Sequence, residues 1–162
     1  MTAADTLALL DWKRRVAFEG LEYWPYDPEL RVAAELEDID AQPKPIESSG
    51  PEPILFRPFA RASFELRGEP LTLEVSWLAA YGGGAFLSFR DATSGQESYG
   101  GGRYLLDTVK GADLGEADGK LVLDFNFAYN PSCSYDPGWV CPLAPPANRM
   151  AVEVEAGEKY RS

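Results

Sequence analysis

The chain contains no histidine, so any chemistry must come from other groups. Ser-His-Asp and Cys-His machinery is excluded, and the commonest general base and metal ligand are missing. What remains is concentrated. Between Asp124 and Arg149 the sequence gathers both cysteines, three asparagines and five prolines among aromatic residues. Just upstream, Tyr99-Gly-Gly-Gly-Arg103-Tyr-Leu105 sets an arginine directly behind three glycines. Glycines let a ligand or another backbone approach closely, and the guanidinium fork matches carboxylate or phosphate. The expected site is therefore a pocket for a small anionic or polar molecule. Arg90, Arg103 and Arg149 would hold the charge, Asn126, Asn130 and Asn148 would orient it, and Tyr99, Tyr129 and Tyr135 would wall it. Asp124 or Glu158 is the carboxyl group available to act as acid or base. The pattern specifies neither a reaction nor a cofactor, and it includes no metal site.

Each of these residues also has a structural reading. Three glycines before Arg103 suit a bend in a curved sheet, with Arg103 paired to an acid such as Asp124. Arg90-Asp91 suits turn chemistry and an ion pair. Asp124 and Asn126 would tie down their own continuation, the loop from Asn130 to Pro146. Cys133 and Cys141 are open to three readings: free buried thiols, a disulfide, or a metal-binding or catalytic pair. The glycine-rich stretch is no phosphate-binding strand-loop-helix motif, because it lacks the Gly-Lys-Ser/Thr ending.

These residues need a scaffold, and the 162-residue length suits one domain with its own core. A net charge of −11 opposes binding to nucleic acid or to an anionic membrane surface. No apolar run approaches the ~20 residues of a bilayer span, and Met1-Thr-Ala-Ala-Asp5 lacks a basic leader, so a cytoplasmic location is expected. Oligomeric state is not encoded in the composition.

Residues 5–19 read as an amphipathic helix, capped by Asp5 or Thr6, with Leu9, Trp12 and Val16 on one face and Gly20 ending it. A short strand follows at 31–37, then a proline-rich connecting loop over 38–53. From Ile54 the period becomes two: Phe64 and Leu66, a turn at Gly68, then Leu71, Leu73, Val75 and Trp77. A second hairpin is expected from 85–90 and 97–106 around a turn at Asp91–Gly95. Further strands are expected over 121–127 and at Val152 and Val154. Tyr81-Gly-Gly-Gly84 echoes the glycine run at 99–102 and would lie on an adjoining strand. The expected fold is mainly β, an antiparallel sandwich or open barrel over 54–162 with the N-terminal helix packed on it.

Several pieces together resemble a known family: Phe89-Arg-Asp-Ala-Thr-Ser-Gly95, Tyr99-Gly-Gly-Gly-Arg103-Tyr-Leu105, Asp124-Phe-Asn-Phe-Ala-Tyr-Asn-Pro-Ser-Cys133, Cys141-Pro-Leu-Ala-Pro-Pro-Ala-Asn-Arg149 and Gly157-Glu-Lys159. With the Trp12-Lys-Arg-Arg15 opening, the chain resembles domain of unknown function family 1684. The resemblance implies a small, soluble bacterial or archaeal domain and carries over no catalytic residue. The alternative to ligand binding is a non-catalytic interaction or self-association module built on the Pro-rich loop and Tyr23, Trp24 and Tyr26.

Overall fold

The structure is a computed structural model that describes residues 19–78 and 83–160. The helix expected over 5–19 lies outside the described residues, Glu19 apart, and so do Tyr81 and Gly82 of the first glycine run. Eight strands form one antiparallel sheet: β1 (Arg31–Asp38), β2 (Lys44–Ile46), β3 (Ile54–Leu66), β4 (Glu69–Trp77), β5 (Ala85–Phe89), β6 (Arg103–Asp107), β7 (Glu116–Ala117) and β8 (Lys120–Asp124). The order is β6-β5-β4-β3-β1-β8-β7, with β2 paired to β3. The sheet curls into a half-barrel, and β6 comes back into contact with β8.

β3 dictates the curl. Phe56, Pro58, Ala60, Ala62, Phe64 and Leu66 alternate with exposed residues and face inward. A register shift between Pro58 and Ala60 adds one residue opposite β4, which bends the strand. Small inward residues, Ala34, Ala60 and Ala62, let the concave face close over Leu73, Val75, Phe89, Leu123 and Phe125. A second apolar cluster joins Ile46, Phe56, Phe86, Tyr104, Tyr129 and Cys141. Two hairpins use two-residue turns with both residues at positive φ: Arg67 (50°) with Gly68 (85°), and Asp118 (53°) with Gly119 (76°). That geometry matches the right-handed twist of the strands it joins.

Four expectations need correction. The 38–53 loop includes the short strand β2. The stretch 97–102 is not strand. Thr93 O instead accepts from the N–H groups of Gln96, Glu97 and Ser98, and β6 starts only at Arg103. The strand expected over 121–127 stops at Asp124, whose carboxylate accepts the Asn126 N–H at 3.0 Å and starts a 3-10 turn over Phe125–Phe127. Phe125 is then buried while Phe127 is exposed. Val152 and Val154 form no ladder: side chains take up the Val154 backbone, and Val152 O accepts one bond from Ala92 N–H.

Candidate functional site

Arg103 opens β6 and is completely buried. It pairs with Asp91 at 3.3 Å, not with Asp124. Its remaining donors reach main-chain carbonyls: Val154 O at 2.9 Å, Ala156 O, and Glu158 O at 3.4 Å. The guanidinium lies 5.3 Å from the Trp24 ring and 5.1 Å from the Phe89 ring. Burial pulls its pKa down while Asp91 pushes it back up, and it remains a cation. Asp91 in turn accepts from Val154 N (2.7 Å), Thr93 N (3.2 Å) and Thr93 Oγ1 (2.8 Å). This pair therefore takes up the backbone of Val154 and Ala156, beyond which Gly157–Lys159 pairs with Glu22–Trp24 through the main chain. The glycine before it belongs to the same device: Gly102 has φ 98°, and a Cβ there would sit 2.6 Å from Phe89 O.

Glu158 is also wholly buried. Its carboxylate accepts Asn130 N and Asn130 Nδ2, each at 3.3 Å, while Asn130 Nδ2 also donates to Lys159 O at 2.9 Å. Burial raises the Glu158 pKa to about 7 against the opposing pull of the Asn130 bonds. Tyr129 adjoins this group, exchanging two backbone bonds with Tyr104. Arg103 Nε and Asn130 Oδ1 face no protein hydrogen-bond partner among the described residues.

Asp124 and Asn126 stand apart from that cluster. Asp124 accepts from Tyr26 Oη at 3.1 Å and from Arg31 Nη1 at 3.4 Å, and the Asn126 amide pairs with both backbone groups of Asp27 at 2.8 Å. What they tie down is thus the Tyr26–Pro28 segment, not the loop from Asn130 to Pro146. Asn148 supplies a missing ladder partner: its amide bonds Glu74 N (2.7 Å), Glu74 O (2.9 Å) and Ser88 O (2.8 Å) where β4 and β5 have separated. Arg90 pairs through its backbone with residues 148–150, and Arg149 is exposed. The expected site residues therefore fall into separate groups rather than around one pocket.

Tyr99, Cys133 and Cys141 make a further group. Cys133 and Cys141 are free thiols, and Cys133 N–H donates to Cys141 Sγ at 3.3 Å. Tyr99 Oη lies 3.6 Å from Cys133 Sγ. Ser49, which the sequence reading missed, braces the same loop: its Oγ accepts Cys141 N–H at 2.9 Å and donates to Trp139 O at 3.2 Å. The neighbouring Cys141 foremost, with Ser49 and Tyr99, lowers Cys133 to about 6, whereas Cys141 is pushed up by Cys133 and by burial. Tyr135 lies half-buried in the same loop.

Two clefts of ≈ 200 and ≈ 210 Å³ share Leu106 and Asp113. The first is the mouth of the half-barrel, with Leu36, Phe59, Val75, Ala85, Leu106 and Leu121 supplied by six different strands. Asp113 and Glu116 are its acidic residues, and both are exposed. The second lies where β6 faces β8 and is lined by Leu105, Leu114, Val122 and Phe127 and by two of the expected site residues, Asp124 and Tyr129. None of the arginines lines either cleft. Asp113 and Glu116 carried no sequence signal, since exposed acids are common in a chain this acidic. Among the described residues no helix is long and apolar enough to cross a membrane.

No curated protein matches the chain. Among solved structures it is similar to an uncharacterised protein of Haloarcula marismortui, from gene locus rrnAC0354, determined in solution by NMR. The two share 33% identity over 93% of this chain and 82% of that one, with a TM-score of 0.67. The model of the family described as "Protein of unknown function (DUF1684)" matches residues 16–159, and the chain belongs to that family.

Proposed function

We propose that this domain binds a small, mostly apolar molecule with a cationic end in the mouth of the half-barrel. The observation that carries the reading is convergence: six strands each contribute an apolar side chain to one cleft, and Asp113 and Glu116 are the charged groups that line it. Barrel mouths are habitual ligand sites because the closing sheet leaves an apolar recess there. A volume of ≈ 200 Å³ suits a ligand of about ten non-hydrogen atoms, below drug size. The net charge of −11 favours a cation over the anion first expected. An anion at Arg103 has less support, since its contacts run to Asp91 and three backbone carbonyls. Calorimetric titration with hexylammonium and hexanoate, matched in length and opposite in charge, tests this. Hexylammonium should bind, and Ala85→Leu, which fills the cleft, should weaken it at least tenfold. Binding of hexanoate instead, or indifference to Ala85→Leu, would reverse the assignment.

A second reading is supported by Trp139 and Val140, both about half exposed at the tip of the cysteine loop. They suit a self-association surface. A mass that rises with concentration, and that Trp139→Ser returns to monomer, is its expected signature; a monomer at all concentrations removes it.

A further inference from the structure

We propose that Cys133 and Cys141 form a peroxide-reactive dithiol, in which Cys133 attacks the oxidant and Cys141 resolves the product as an intramolecular disulfide. The inference is independent of the cleft. Four observations divide the labour between the two sulfurs. The two cysteines are adjacent in space: Cys133 N–H donates to Cys141 Sγ at 3.3 Å. Cys133 is half-buried while Cys141 is 7% exposed and packs in the cluster with Phe86 and Tyr104, so an oxidant meets Cys133 first. Tyr99 Oη lies 3.6 Å from the Cys133 sulfur, and as a donor it favours the Cys133 anion. The loop between the two is braced: Ser134 Oγ donates to Pro131 O at 2.7 Å, Gly138 N to Asp136 Oδ1 at 2.8 Å, and Ser49 Oγ to Trp139 O at 3.2 Å.

The steps balance with a hydroperoxide as oxidant. The Cys133 thiolate attacks the terminal peroxide oxygen. The O–O bond breaks, the sulfur takes up OH as a sulfenic acid, and the alkoxide leaves with a proton from solvent as an alcohol. Cys141 sulfur then attacks the Cys133 sulfur, the S–OH bond breaks, and the thiol proton leaves with hydroxide as water. Two thiols are oxidised by two electrons and the peroxide is reduced by two. The lowered Cys133 and raised Cys141 fit a thiolate nucleophile beside a protonated resolving thiol.

The test uses the fully reduced chain, hydrogen peroxide and intact mass after acid quench and alkylation. Wild type should lose about two daltons and both alkylation sites together. Cys141→Ala should stop at a sulfenic acid on Cys133 that dimedone traps, and Cys133→Ser should leave Cys141 unoxidised on that timescale. The wild-type rate should fall about tenfold from pH 7 to pH 5, against about a hundredfold for an ordinary thiol. Thiols that stay fully alkylatable after peroxide, a sulfenic acid first on Cys141, or a hundredfold fall in rate would overturn the proposal.

Discussion

Replacing Arg103 with methionine separates a ligand-binding arginine from a structural one. Methionine keeps the stem packed between Trp24 and Phe89 and deletes only the guanidinium. Three contacts are lost at good or fair distance, to Val154 O, Ala156 O and Asp91, with a longer one to Glu158 O. A charged hydrogen bond contributes about 1.5–3 kcal/mol, and such bonds within one network are not additive. Asp91 loses its cation yet keeps donors from Val154, Thr93 and Ser94, so the charge left behind is partly compensated. The sum is about 4–6 kcal/mol, comparable with the whole stability of a small domain. In urea unfolding followed by tryptophan fluorescence, with a slope of about 2 kcal/mol/M, the midpoint should drop by about 2–3 M. Arg103→Lys should lie between, since one ammonium cannot span the same carbonyls. In a cycle with Asp91→Asn, the coupling should be about 1–2 kcal/mol, well below the Arg103→Met cost, because most of the Arg103 bonds go elsewhere. A loss under about 1 kcal/mol for Arg103→Met would refute the reasoning and return Arg103 to the list of ligand contacts.

Glu158 gives a pH signature. Its folded pKa of about 7 exceeds the ordinary 4.5, so between those values the native state holds a proton that the unfolded chain releases. Its contribution is therefore fully present below pH 4.5 and is lost as pH rises to about 7, by about 3 kcal/mol, with no further change above. Glu158→Gln should flatten unfolding free energy in that window; a stability that rises there with pH in wild type but not in the variant would contradict the burial argument. Gly157→Ala should cost more than about 2 kcal/mol by thermal melting, because φ is 74° and the new Cβ would sit 2.5 Å from Ala128 O. Asn148→Ala should cost about 2–3 kcal/mol by the same assay and increase hydrogen exchange at Glu74, whose N–H it leaves without its acceptor. Equal exchange in variant and wild type would remove Asn148 from the ladder.

The antiparallel β character was legible where side chains alternate. Phe64 to Val75 reads as a hairpin because the inward residues are apolar and the Arg67-Gly68 turn follows twist chemistry, whereas the expected alternation fails at the end of β4, where Ser76 is buried and Trp77 exposed. The Asp118-Gly119 turn carries an equally clear signal that the reading passed over. Alternation misled where side chains substitute for strands. Val152 and Val154 look like a strand, but Arg103 and Asp91 bind the Val154 backbone, and Val152 O accepts a single bond from Ala92 N–H. Phe125 and Phe127 look paired on one face, but the Asp124 carboxylate turns the chain between them. Arg103 and Glu158 stood out by type, yet the carbonyls that occupy Arg103 belong to residues 51 to 55 positions away and leave no trace in side-chain identity. The barrel mouth was illegible for a related reason. Its apolar lining comes one residue at a time from six strands, and only closure of the sheet brings them together.

The central claim is that the polar cluster around Arg103 is scaffold and that the barrel mouth binds the ligand. Amide chemical shifts recorded during titration with hexylammonium, and separately with hexanoate, test both halves at once. The account predicts that hexylammonium moves Leu36, Ala85, Leu106, Asp113 and Leu121 together and leaves Asp91, Arg103 and Val154 still. Shifts centred on Asp91, Arg103 and Val154 with hexanoate, and none at the mouth with hexylammonium, would contradict it.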